Sequence, residues 1–181
     1  MACVLLINPT MDALTLIHVL LSLIGIVAGF VVAAGMLGAR RLPGWTRGFL
    51  VTTIATSATG FLFPFKGFTP ALGFGVISLL VLPLSVYALY VRKLSGPWRL
   101  TYVYTALFAQ YLNFFVLIVQ LFLKVPALKA LAPKGTEPPF AITQALALIL
   151  FIYLGVRATS RFRPEIGPRS TDHPVLKDPL P

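Results

Sequence analysis

The feature that most limits the fold is a series of apolar runs, each long enough to cross a lipid bilayer. The first run, residues 13–37, contains no Asp, Glu, Lys or Arg. A membrane-spanning helix needs about 20 predominantly apolar residues. Four further runs follow, so the sequence predicts five spans, at about residues 13–37, 49–65, 69–91, 99–123 and 139–157.

Composition supports one membrane domain rather than a soluble one. Of the 181 residues, 57% are hydrophobic and 11% are charged, and the mean hydropathy is +0.88, whereas a soluble domain is about 25% charged. We predict an all-α polytopic bundle over residues 1–162 and a disordered, proline-rich tail over residues 163–181. The single cysteine, Cys3, excludes an intrachain disulfide and a Cys-X-X-Cys redox pair.

The distribution of Lys and Arg predicts the orientation in the membrane. Most of them follow the first, third or fifth span: Arg40, Arg41, Arg47, Arg92, Lys93, Arg99, Arg157, Arg161, Arg163, Arg169 and Lys177. The other side carries Lys66, Lys124, Lys129 and Lys134. By the positive-inside rule the N-terminus is outside and the C-terminus is in the cytoplasm. The net charge of +10 therefore indicates orientation and contact with anionic lipid, and nucleic-acid binding is not expected.

Polar residues form a stripe on the fourth span. At about 100° per residue, Gln110, Asn113, Gln120 and Lys124 lie within a sector of about 80°. A side-chain amide that faced hydrocarbon would have no hydrogen-bond partner, so the stripe should face other helices or a hydrated cavity. Two interpretations remain open. The favoured one is interhelical hydrogen bonding that fixes the packing, and the other is the lining of a binding site that opens toward the outer side.

Small residues predict where helices pack closely. On the first span His18 and three small residues recur on one face, and Gly25 with Gly29 forms a GxxxG pair. A hydroxyl face recurs at four-residue spacing on the second span. The predicted helix-packing residues are Ser22, Gly25, Gly29, Thr52, Thr56 and Gly60.

The predicted topology brings polar side chains from several segments to the outer half of the membrane or its outer surface. As a hypothesis, the ligand-binding residues are His18, Asn113, Gln120, Lys124, Glu137 and Gln144. No catalytic residue and no metal site is predicted. One intramembrane histidine does not supply the two axial ligands of a cytochrome b-type haem, so no cofactor is predicted, and haem or quinone is the weaker expectation. The spans contain no carboxylate, which disfavours a proton pump.

Several stretches carry a resemblance to a known group of proteins. They are TSATGFLFPF (Thr56–Phe65), GVISL (Gly75–Leu79), YLNFFVLIVQLFLKVPALKALAP (Tyr111–Pro133) and EPPF (Glu137–Phe140). With them the chain resembles, from Leu14 to about Arg163, small multi-span proteins of the bacterial inner membrane that have no assigned activity. The resemblance implies a localisation in the bacterial inner membrane and a multi-span architecture, and it implies no reaction.

Two functions follow as expectations. The first is a non-catalytic subunit or binding protein that assembles through small-residue helix faces, as a homo-oligomer or within a larger membrane complex, surrounded by membrane lipids. The alternative is a small membrane redox protein, or a lipid- or quinone-handling protein, that uses the polar cluster in the outer half.

Overall fold

A computed structural model describes residues 9–63 and 70–163. Within these ranges the secondary structure is helical and contains no strand. The helices are α1 (Pro9–Leu37), α2 (Pro43–Gly60), α3 (Pro70–Val86), α4 (Trp98–Lys124), α5 (Pro126–Leu131) and α6 (Pro138–Arg161), and a π-helical turn at Tyr87–Val91 continues α3. The tail predicted to be disordered lies, apart from Arg163, outside the described residues.

The described residues contain four stretches that are long and apolar enough to cross a membrane: Ala13–Leu37, Leu72–Val91, Trp98–Lys124 and Pro138–Arg161. They coincide with the first, third, fourth and fifth predicted spans. The all-helical prediction is therefore confirmed, and these stretches identify the chain as a membrane protein. The last one extends to Arg161 rather than residue 157, because an arginine near the end of a span can reach the interface along its own methylenes.

The second predicted span differs most from the structure. It was expected at residues 49–65, whereas α2 is Pro43–Gly60, and α2 is not among the four sufficiently apolar stretches. The early start has a local cause. Pro43 occupies the first helical turn, where its missing N–H would have no partner in any case. The hydropathy criterion does not assign Gly44, Thr46 and Arg47 to a span, although all three are helical.

Helix α4 lies at the centre of the bundle and packs against α1, α3 and α6. Helices α1 and α2 form an antiparallel hairpin, since His18 meets Thr59 at one end and Gly35 meets Leu42 at the other. The α1–α2 turn, the α3–α4 turn and the end of α6 lie together, as the bond from Arg99 to the Phe162 carbonyl shows for the last two. We name this the basic end; its described Lys and Arg residues are Arg40, Arg41, Arg47, Arg92, Lys93, Arg99, Arg157, Arg161 and Arg163.

The other end of the bundle, here the opposite end, comprises the start of α1, the end of α2, the end of α4, α5 and the start of α6. Tightly packed residues such as Met36, Phe49, Val103 and Ala109 fill the interior toward the basic end. The outer surface is apolar, with large side chains such as Leu80 72% exposed. Such a surface suits a lipid environment.

Candidate functional site

His18 lies at the opposite end, between α1 and α2. Its Nδ1 is 2.9 Å from Thr59 Oγ1, and that hydroxyl donates in turn to the Thr56 carbonyl at 3.1 Å. The ring packs edge-on against Phe63 at 5.3 Å between centroids. The Lys124 ammonium lies close enough to interact electrostatically with His18.

Two amides of the α4 stripe reach neighbouring helices. Gln110 is 1% exposed, and its Nε2 donates to the Ile26 carbonyl of α1 at 2.8 Å. Asn113 is half-buried and donates from Nδ2 to Thr53 Oγ1 of α2 at 3.2 Å. One face of α4 therefore holds both members of the α1–α2 hairpin through side-chain hydrogen bonds.

Gln144 connects α6 to α4 from a different direction. Its Nε2 donates to the Phe115 carbonyl at 3.2 Å, while its buried Oε1 has no partner among the described atoms. Gln120 is half-buried and makes no hydrogen bond within the described ranges, and Lys124 is exposed at the end of α4.

Glu137 immediately precedes α6 and is accounted for by its own turn. Its carboxylate accepts the backbone N–H of Lys134 and of Thr136, each at 3.0 Å. The bond from Lys134 is the largest cause that holds the pKa of this carboxyl below its usual range. A carboxylate that collects backbone N–H groups is stabilised in its ionised form, so Glu137 orders the turn that leads into α6.

The six residues of the predicted ligand-binding site are thus brought together only in part. His18 lies within electrostatic range of Lys124, whereas Asn113 and Gln144 are engaged with different helices and Glu137 with its own turn. None of the six lines the cleft beside Arg40 and Arg41 or the shallow groove beside Leu50 and Ile54. The hypothesis of one shared ligand site stays a prediction.

The predicted packing residues lie at contacts inside the bundle. A Cβ on Gly25 would be 3.0 Å from Thr52 Oγ1, and a Cβ on Gly29 would overlap the amide of Gln110. Ser22 donates to the His18 carbonyl at 2.7 Å and Thr52 to the Gly48 carbonyl at 2.7 Å; these are the local bonds that hydroxyls make within membrane helices. A Cβ on Gly60 would lie 3.7 Å from His18 Cε1, and buried Thr56 Oγ1 has no recorded partner.

Sequence reasoning missed a second pair of glycines, Gly44 and Gly48 on α2. A Cβ at either position would have no neighbour within 4 Å, so both glycines face outward. They share this face with Val51, Ala55 and Ala58, because these positions fall within about 80° on the helix. The four-residue spacing was visible in PGWTRG, but it lies ahead of the predicted span and was therefore not assigned to a membrane helix.

The described residues contain no group of three or more His, Cys, Asp or Glu side chains placed to hold a metal ion. No family model, curated protein sequence or solved structure matches the chain. The resemblance to small proteins of the bacterial inner membrane accordingly stays a prediction.

Proposed function

We propose that the chain is a five-span protein of the bacterial inner membrane that functions by assembly, as a non-catalytic subunit that pairs with a second copy through the outward face of α2. The α1–α2 hairpin supports five spans. From Gly35 beside Leu42 to His18 beside Thr59, α1 covers 17 residues, or about 26 Å at 1.5 Å per residue. A helix that runs antiparallel to a membrane span over this length crosses the same hydrocarbon layer, even though its composition is less apolar.

The charges support an orientation with the basic end in the cytoplasm. Nine described Lys and Arg residues belong to the basic end, whereas Lys124, Lys129 and Lys134 belong to the opposite end. Cytoplasmic segments carry the excess of Lys and Arg in membrane proteins. This orientation puts the N-terminus outside and the C-terminus inside, as five spans require.

The observation that carries the assembly proposal is the open space around Gly44 and Gly48. Helices in lipid associate through van der Waals packing and interhelical hydrogen bonds, and glycines four residues apart let two backbones approach closely. Gly25 and Gly29 already serve this purpose inside the bundle, because side chains of α2 and α4 fill the space beside them. The pair on α2 is unfilled, so it leaves a small-residue face open to another molecule.

A second copy fits this face better than an unrelated helix. In a two-fold dimer the same patch meets itself, and glycine at the crossing point on both helices allows the closest approach. A shallow groove beside the face, lined by Leu50, Ile54, Val86 and Tyr90 among others, can receive side chains of the second copy.

The test is Gly48→Leu, with Ala145→Leu as the matched control. Both replace a small outward side chain of a membrane helix by leucine, and Ala145 is exposed on α6. We expect wild type and Ala145→Leu to be dimeric by light scattering in mild detergent and by crosslinking in lipid. Gly48→Leu should be monomeric with a thermal stability no lower than that of wild type, because an added Cβ there has no neighbour within 4 Å and glycine loses more backbone entropy in a helix. If the wild type and both variants were all dimeric, or all monomeric, the proposal would be refuted.

The proximity of His18, Thr59 and Lys124 favours a second candidate, a redox protein or a lipid- or quinone-handling protein that uses the opposite end. It predicts that the gently purified protein carries a chromophore or a stoichiometric quinone or lipid, detected by absorbance and mass spectrometry, and that His18→Leu abolishes it. A colourless protein with only bulk lipid would exclude this candidate.

A further inference from the structure

A cleft opens at the basic end between the α1–α2 turn, the π-helical turn, α4 and the residue after α6. Its volume is about 40 Å³, which is room for a few water molecules or for one compact polar group such as a phosphate. Its apolar wall consists of Val32, Met36, Leu89 and Phe162, and its polar lining includes Thr46, Tyr90 and Tyr102. Arg40 and Arg41 complete the lining.

These two arginines differ from others at the same end. Arg99 is occupied, since its Nη1 donates to the carbonyls of Thr159 and Phe162 at 2.8 and 2.7 Å. The guanidinium of Arg92 stacks over Trp98 at 5.4 Å from the ring centroid. Arg40 and Arg41 are exposed, and their guanidinium groups have no hydrogen bond or ion pair recorded within the described ranges.

No carboxylate among the described residues is available to neutralise this pair. The described part of the chain contains two acidic residues, Asp12 and Glu137, and both belong to segments at the opposite end. No acidic side chain in the described ranges offsets the positive potential of the basic end, and an anion at the cleft gains from that potential.

The turn that presents the two arginines is held in one conformation. Ala39 has φ 55°, and the Arg40 N–H donates to the Gly35 carbonyl at 2.8 Å, which closes the end of α1 as a Schellman-type cap. Leu42 packs closely over this cap, because a Cβ at Gly35 would lie 2.8 Å from Leu42 Cδ1. The side chains of Arg40 and Arg41 thus project from a hydrogen-bonded turn rather than from a free loop.

We propose that this cleft is a binding site for the phosphate of one anionic phospholipid. The planar guanidinium groups of Arg40 and Arg41 match phosphate oxygens with paired hydrogen bonds, and the Tyr90 hydroxyl at the same opening is a further donor. Basic pockets between membrane helices on the cytoplasmic side are suited to such headgroups. This inference rests on the proposed orientation, with the basic end at the cytoplasmic surface of the membrane, and does not depend on dimer formation.

The experiment is lipid binding measured by native mass spectrometry on the full chain in mild detergent, with added phosphatidylglycerol or phosphatidylcholine. We compare Arg40→Gln/Arg41→Gln with Arg157→Gln/Arg161→Gln, which removes the same charge from exposed positions on α6 outside the cleft. One phosphatidylglycerol should bind in preference to phosphatidylcholine. The cleft variant should bind it at least tenfold more weakly, because it loses the paired hydrogen bonds to the phosphate, and the α6 variant should resemble wild type.

Two further arms locate the source of the effect. Arg40→Lys/Arg41→Lys keeps the charge but loses the planar fork, so it should bind at an intermediate strength. Gly48→Leu should keep the lipid whether or not the dimer exists, which separates this proposal from the one on assembly. If the cleft and α6 variants lost equal affinity for phosphatidylglycerol, diffuse electrostatic attraction would replace the proposed site. If inorganic phosphate alone stabilised the protein as much as phosphatidylglycerol does, the assignment to a lipid would be wrong.

Discussion

Alanine at position 29 would put a methyl group into the space that the Gln110 side chain occupies. A Cβ there overlaps the carboxamide, which is 1% exposed and is fixed by its bond to the Ile26 carbonyl at 2.8 Å. The amide cannot move away without losing that bond, because buried atoms surround it. Gly29→Ala therefore forces either a shift of α1 from α4 or the loss of the interhelical bond.

The size of the effect follows from these two costs. Overpacking a filled interior costs about 1–3 kcal/mol, and an interhelical hydrogen bond in a membrane protein contributes about 0.6 kcal/mol on average and up to about 1.7. Because one of the two costs suffices to relieve the overlap, we expect Gly29→Ala to lower the free energy of unfolding by roughly 1–3 kcal/mol. The matched control is Gly48→Ala, where the new Cβ has no neighbour within 4 Å. That substitution should stabilise the helix by about 0.5–1 kcal/mol, because glycine loses more backbone entropy than alanine.

Reversible unfolding in mixed detergent micelles measures both values, and Gln110→Ala completes a double-mutant cycle. Gly29→Ala should cost less in the Gln110→Ala background than in wild type, because the atoms it collides with are gone. Additive costs, or a Gly29→Ala protein as stable as Gly48→Ala, would refute the close fit of Gln110 against Gly29.

Two more predictions concern the turns. Ala39→Gly should raise the free energy of unfolding by about 1 kcal/mol, since a left-handed backbone at φ 55° costs an alanine that much and glycine almost nothing; an unchanged or lower stability in the same detergent titration would contradict this. Glu137 has a folded-state pKa below its unfolded value, so its contribution is present above the unfolded pKa and is lost as the pH falls through the folded one. Thermal unfolding of wild type should therefore decline with acidity in that range, and Glu137→Gln should reduce the decline; identical pH profiles would contradict the role of the carboxylate.

The positions of the apolar spans could be predicted from sequence because hydropathy reports directly on the solvent of a helix. Helix α2 was harder to place, because the hydroxyls of Thr52, Thr53 and Thr56 lower its hydropathy. Its packing against α1 shields part of this polar surface from lipid, whereas a hydropathy window detects only the more apolar portion of the helix.

The partners of polar residues in the spans could not be predicted in the same way. Helical periodicity gives the face on which Gln110 and Asn113 lie, but it does not specify that the first meets α1 and the second α2. Gln144 was expected to join the same site as Asn113, yet its amide donates to the Phe115 carbonyl on α4. Such assignments depend on the arrangement of helices around α4, which follows from long-range contacts.

The two GxxxG pairs show why the same motif has different consequences in one chain. Gly25 and Gly29 allow side chains of α2 and α4 to lie against the α1 backbone, so substitution there should change folding. Gly44 and Gly48 have the same spacing but face open space, so substitution there should change what docks from outside without disturbing contacts inside the bundle. The spacing of the glycines is the same in both pairs, and the difference is whether side chains of another helix of the same chain fill the space beside them. A large residue at Gly48 that left both folding and assembly unaltered would show that this surface faces only lipid.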